Sequence, residues 1–236
     1  MPLLFLFLII IANASKLITI SPAGYKGFYV SGIITYITEN YDLTDFIFSG
    51  SSAGSYNALL MTYKRNPREI IDTLLKTSIN HLSLKNVQIK MKEIILAHYT
   101  TDDFELNKLN IGVSKLHKIF LKKYIYSNIQ TLEQALDLCK SSSHIPYVTG
   151  DLLNYCSDED KLCFDGGFLE NPYVENMTPI LHITPSMWKN SKKYKFYDIT
   201  QYTSLFSKEN FIQMYENGYL DTKKNKEKLD KIFHHG

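Results

Sequence analysis

Residues 46–54, Phe46-Ile47-Phe48-Ser49-Gly50-Ser51-Ser52-Ala53-Gly54, carry the reading of the whole chain. The last five have the G-x-S-x-G form of a nucleophile elbow. This is a sharp strand-to-helix turn that holds a serine in a strained backbone conformation with its hydroxyl clear of the sheet. Ser52 is then the candidate nucleophile. Gly50 and Gly54 suit the turn because a Cβ two residues either side of the nucleophile would clash where strand and helix nearly touch. Phe46-Ile47-Phe48 predicts a buried strand, and Tyr56 to Met61 has the composition of a mostly buried helix ending before Asn66-Pro67. A helix starting at Ser52 aims its N-terminal N–H groups, Ala53 first, and its positive dipole end at an oxyanion formed beside the hydroxyl. An ordinary small-residue strand-to-helix turn fits the same five residues, so the context has to decide.

A second strand, glycine-containing loop and helix precede the first. Lys16 to Ser21 is a β-branched strand, Ser21-Pro22-Ala23-Gly24-Tyr25-Lys26-Gly27 is the loop, and Val30, Ile33, Ile34 and Ile37 form a helical stripe. Such a loop presents backbone N–H groups as an oxyanion hole needs, although a phosphate-binding or plain β-α turn has the same outline. Two β-α units in succession predict a single α/β domain, with a mostly parallel central sheet flanked by helices and right-handed crossovers.

Downstream, Ile70, Ile71, Leu74 and Leu75 predict a helix over 67–78. Residues 82–100 predict an amphipathic helix near the site entrance, or a solvated helix with a core stripe. Leu109, Ile111 and Val113 mark a third strand, 118–126 a fourth, and 131–139 a helix. Leu162-Cys163-Phe164-Asp165-Gly166-Gly167 reads as an apolar strand that ends in an aspartate at its C-terminal edge, where α/β sheets gather ligands. Asp165 is therefore a candidate acid or base, with a hairpin aspartate as the alternative. Ile180 to Ile183 predicts a further strand. Phe211, Met214, Tyr215, Gly218 and Tyr219 form one face of a closing helix before a lysine-rich tail. Residues 188–197 interleave cations with aromatics, which suits a lipid headgroup surface as well as a solvated loop or edge strand.

The balance of composition narrows the function. With 236 residues, 44% of them hydrophobic, the chain can bury a substantial core. A net charge of +2 with 21% charged residues excludes bulk electrostatic binding to nucleic acid as the main activity. No C-x-x-C or H-E-x-x-H spacing occurs, so neither a metal nor another cofactor is expected. Cys156 and Cys163 can close a short disulfide loop and leave Cys139 buried in a helix; three free thiols are the alternative. Residues 3–11 are a short apolar run followed by Ala12-Asn13-Ala14, an A-x-A-like cleavage site. Residues 1–14 thus read as a secretory signal peptide ahead of a domain over 15–236, with a retained anchor or a buried strand as alternatives. On this reading Asn176-Met177-Thr178 is a glycosylation sequon.

Taken together, these motifs resemble the patatin-like phospholipase family, especially its adiponutrin-like branch, from about Lys16 to the closing helix. Gly24-Tyr25-Lys26-Gly27 is similar to the end of the family's G-G-G-x-[RK]-G oxyanion loop, Gly50 to Gly54 to its serine elbow, and Asp165-Gly166-Gly167 to its D-G-[AG] motif. Ser141 to Pro146, Asp165 to Pro172 and Phe211 to Asp221 follow the family's order. One departure is evident: Pro22 and Ala23 stand where two glycines are expected, and Pro22 has no N–H to donate. The resemblance implies a patatin-like sandwich and a Ser52–Asp165 dyad without histidine. It also implies an oxyanion hole from N–H groups at Ala23, Gly24 or Tyr25 with Ala53, framed by Gly27, Gly50, Gly54, Gly166 and Gly167. The implied partner is a lipid ester at a membrane or droplet surface; the signal-peptide reading of residues 1–14 places the chain in the secretory pathway or outside the cell, as a peripheral membrane protein. A Ser-Asp-His triad through His182, acting on small esters, and a catalytically weak lipid-binding or storage protein are the competing readings. His144, beside the small-residue turn, is placed either lining the site or in packing.

Overall fold

The computed structural model describes residues 15–77, 81–156, 161–169, 171–188 and 207–233. The expected signal peptide and residues 189–197 of the cation-aromatic stretch lie outside them. Six strands form one sheet: β1 (Lys16–Ile20), β2 (Phe46–Ser51), β3 (Leu109–His117), β4 (Phe120–Tyr126), β5 (Cys163–Phe164) and β6 (Pro179–Ile183). Their order is β4-β3-β2-β1-β6, with β5 also on β3. The helices are α1 (Gly27–Asn40), α2 (Ala53–Met61), α3 (Arg68–Lys76), α4 (Leu84–His98), α5 (Leu132–Ser142), α6 (Lys208–Lys224) and α7 (Lys226–Phe233).

The chain is an α/β fold with a mostly parallel central sheet flanked by helices. β1 runs parallel to β2 and β6, and β2 parallel to β3. The apolar, β-branched content of β1 and β3 explains this, because parallel strands are covered on both faces and their residues are buried without alternation. β4 is antiparallel to β3 and more exposed, and it forms the edge.

The arrangement around β3 positions the site. β2 pairs with the first part of β3, ending at Ser51 opposite Gly112. β5 pairs antiparallel with the next part, Phe164 opposite Ser114. Because β4 occupies the other edge of β3, the ends of β2 and β5 meet head-on. The aspartate strand therefore reaches the sheet's C-terminal edge running against the parallel strands, a direction that a two-residue apolar run cannot specify.

A disulfide joins Cys156 to Cys163 and ties the hairpin that leads into β5, whereas Cys139 is a buried free thiol in α5. Cys156 N–H donates to Lys161 O and Cys163 N–H to Asn154 O, so this hairpin is held by backbone bonds as well. α6 packs along α1, with Tyr29 Oη donating to Asp221 Oδ2 at 2.9 Å. The lysine-rich tail is helical as α7. Leu229 is buried, Phe233 stacks on Tyr41 with centroids 4.4 Å apart, and Tyr41 Oη donates to Asp230 at 2.8 Å. Phe233 also lies against Phe46, with centroids 5.6 Å apart, and Ile232 packs against the core.

Candidate active site

Ser52 sits between β2 and α2 with φ 54° and ψ −133°, a region that non-glycine residues rarely occupy. Holding a side chain there costs about 1–3 kcal/mol and requires neighbours that over-determine it. Those neighbours are present. Ser52 N–H donates to Ser142 Oγ at 2.7 Å, while Ser52 O accepts from Ser55 Oγ at 2.6 Å and from Ser55 N–H at 2.9 Å. Gly50 and Gly54 permit the turn. A Cβ on Gly50 would run into the Gly54 carbonyl, and a Cβ on Gly54 would lie 2.5 Å from the carbonyl oxygens of Ile20 and Ser21.

The structure brings Ser52 and Asp165 together from 113 residues apart: Ser52 Oγ donates to Asp165 Oδ2 at 2.6 Å. The other carboxylate oxygen, Oδ1, accepts from Gly167 N–H at 2.7 Å, and Asp165 N–H donates to His144 O at 2.8 Å. One oxygen is thus anchored and the other faces the serine. Both residues are buried, Ser52 at 7% and Asp165 at 5% exposure. Burial lifts the Asp165 pKa from 3.8 to about 6, against the hydrogen bonds from Ser52 and Gly167 that pull it down. A carboxylate with a pKa near 6 is a stronger base than a free aspartate and is still ionised at neutral pH.

Ser52 and Asp165 border a cavity of about 120 Å³ lined mainly by apolar side chains of α1, α2, α3 and α4. α4 is therefore a wall of this cavity. Gly24 and Tyr25 line it from a single 3-10 turn, Gly24 in the left-handed region at φ 52°, and Ala53 lines it as the first residue of α2. Ala23 packs against the core; its carbonyl accepts from Lys26 N–H at 3.0 Å and closes that turn. Ser52 N–H is taken by Ser142, whereas Ala53, as the first residue of α2, carries an N–H with no partner inside its helix. Gly27 begins α1 against Ala53, and Gly166 and Gly167 begin the turn after Asp165, with Pro22 beside Gly167.

His144 meets Asp165 only through its backbone carbonyl, and the His182 side chain is bonded elsewhere. His182 Nδ1 lies 2.7 Å from Thr19 Oγ1, across the β1–β6 pair, and burial lowers its pKa. His144 is buried next to Phe164, does not line the cavity, and has its pKa lowered by burial. Among the described residues, no group of three or more His, Cys, Asp or Glu is placed to hold a metal ion.

Ser142 is the residue that sequence reasoning passed over. Its Oγ accepts from Ser52 N–H and donates to Gly112 O at 2.6 Å, so it clamps the elbow to β3. The only local signal is the run Ser141-Ser142-Ser143, which shows a small-residue turn but not its long-range partner.

No family model matches the chain, and no curated protein does. Solved structures similar to it include two bacterial proteins. VipD from Legionella pneumophila is 13% identical over 72% of this chain and 49% of that one, with a TM-score of 0.39. The heterodimeric ExoU–SpcU complex from the type III secretion system of Pseudomonas aeruginosa is 11% identical over 94% of this chain and 52% of that one, with a TM-score of 0.44. The chain spans about half the length of either, and neither likeness decides an activity.

Proposed function

We propose that the chain is a serine lipid acyl hydrolase of the patatin-like type, with the adiponutrin-like pattern of its motifs. It cleaves carboxylic esters of membrane or storage lipids at the surface that holds them. The observation that carries this reading is the 2.6 Å hydrogen bond from Ser52 Oγ to Asp165 Oδ2 at the border of an apolar cavity. As the Ser52 oxygen attacks the ester carbonyl carbon, its proton passes to Asp165, and the carbonyl becomes a tetrahedral oxyanion held by backbone N–H groups. On collapse, the carbon–oxygen bond to the alcohol breaks and Asp165 returns the proton to the leaving oxygen. Water, deprotonated by the same carboxylate, then releases the acid and restores Ser52. The apolar cavity suits the acyl chain, which gains by leaving water.

Hydrolysis of a fluorogenic long-chain ester tests the reading. Ser52→Ala and Asp165→Asn are each expected to lower kcat by roughly 10²- to 10⁴-fold. Wild-type turnover in either variant removes that residue from the mechanism.

A lipid-binding protein with weak catalysis is the second reading, and Pro22 favours it by withholding one N–H from the oxyanion loop. Vesicle binding with no hydrolysis and no fluorophosphonate adduct would select this reading over the enzyme.

A further inference from the structure

The cavity beside Ser52 is lined mainly by apolar groups, and most of its polar side chains are already engaged. Ser31 Oγ donates to Gly27 O and Asn57 Oδ1; Asn57 Nδ2 donates to Gly27 O and Ala53 O; Thr149 Oγ1 donates to the Ser143 carbonyl. Two lining residues carry a buried polar atom with no hydrogen-bond partner: Ser143, at Oγ, and Gln88, at Oε1. Ser143 follows Ser142, which holds the Ser52 backbone, so it belongs to the ester end. Gln88 is on α4, where its neighbours along the cavity wall are Leu84, Val87, Met91 and Ile95. It is a polar point on an otherwise apolar wall.

An acceptor left unsatisfied away from water costs about as much as the desolvation of the group, so its retention calls for a partner. A wholly hydrocarbon acyl chain supplies none. A hydroxyl on the chain supplies one in either orientation of the amide, because it donates to Oε1 and accepts from Nε2. We infer that Gln88 is a specificity-determining residue that selects acyl chains bearing a hydroxyl group along their length. The inference rests on the cavity being the acyl site of the proposed hydrolase, and it deepens that reading by naming the acyl class.

The test compares umbelliferyl esters of octadecanoic acid with those of its monohydroxy positional isomers, which share one leaving group. For each enzyme the readout is the ratio of kcat/KM for a hydroxylated ester to that for the plain one. Wild type is expected to favour at least one isomer by roughly five- to tenfold, the worth of one hydrogen bond to an otherwise unpaired group. Gln88→Met, of similar length and without the amide, is expected to bring that ratio to near one, as is Gln88→Leu. A ratio near one for every isomer in wild type, or an unchanged ratio in both variants, overturns the inference.

A binding measurement separates its failure from that of the hydrolase reading. In Ser52→Ala, free hydroxyoctadecanoic acids are expected to displace a fluorescent fatty-acid probe at lower concentration than octadecanoic acid does, and Gln88→Met in that background abolishes the difference. If wild type hydrolyses no ester but this difference is found, the inference stands and the enzyme reading falls. Equal displacement by all the acids overturns the inference itself.

Discussion

The proposed mechanism asks Asp165 to be a base while nearly enclosed by protein. Its environment does two opposed things: burial disfavours the carboxylate, and the hydrogen bonds from Ser52 and Gly167 favour it. The net pKa of about 6 sets a pH dependence with a defined sign. kcat/KM should rise as pH increases through about 6 and level off above it. That limb should be absent from the residual activity of Asp165→Asn. Stability should move the other way. The folded pKa lies above the unfolded value, so the stability linked to this group is fully present below 3.8 and lost as pH rises through about 6. The loss amounts to about 3 kcal/mol at 1.36 kcal/mol per pKa unit. Urea unfolding at pH 4 and pH 7.5 should show Asp165→Asn gaining on wild type at the higher pH. Ser142 acts through the elbow and not on substrate. Ser142→Ala leaves the Ser52 N–H and the Gly112 carbonyl without their partner, and it should cost about 1–3 kcal/mol of stability. It should also lower kcat, because the strained φ of Ser52 loses one of its restraints. Cysteine, close to serine in size but a weak hydrogen-bond former, should not restore either quantity.

At the level of elements, the site is a meeting of two strand ends on the template of β3. β5 has only two residues, so the Cys156–Cys163 bridge and the hairpin before it must hold the strand that delivers Asp165. Cys156→Ser should lower stability by about 2 kcal/mol and reduce turnover in parallel. Thermal unfolding and kcat, measured with and without a thiol reductant, check it; full turnover in the reduced wild type would show that the bridge is dispensable for the site. How far such features can be read from sequence depends on the range of the interaction. The elbow is legible because its demands fall within five residues: a small-residue turn, an apolar run before it and a helix after it. The two β-α units are legible for the same reason. The sense of β5 is not, because direction is set by pairing with β3 and two residues carry no periodicity. The Ser142 clamp is not legible either, since its partner lies 90 residues away and a serine triplet has no marker for it. α4 shows in sequence as amphipathic, but that its apolar side borders the cavity depends on where α3 and α2 sit. α7 is hidden by its lysines, although Leu229 and Phe233 dock it.

For the molecule as a whole, the parallel sheet places Ser52, Asp165 and the Gly24–Tyr25 turn at one edge, and the helices enclose an apolar cavity beneath them. His182, the histidine that a conventional triad would recruit, is engaged with Thr19, and His144 packs near Phe164. The central claim is that Ser52 is activated by Asp165 alone, and the most direct measurement is covalent labelling by a fluorophosphonate, with the modified peptide located by mass spectrometry. The account predicts one adduct, on Ser52, formed at the same rate in His182→Ala, absent in Ser52→Ala and slowed at least about 100-fold in Asp165→Asn. Labelling of another residue, or of Ser52 at the wild-type rate in Asp165→Asn, would contradict it.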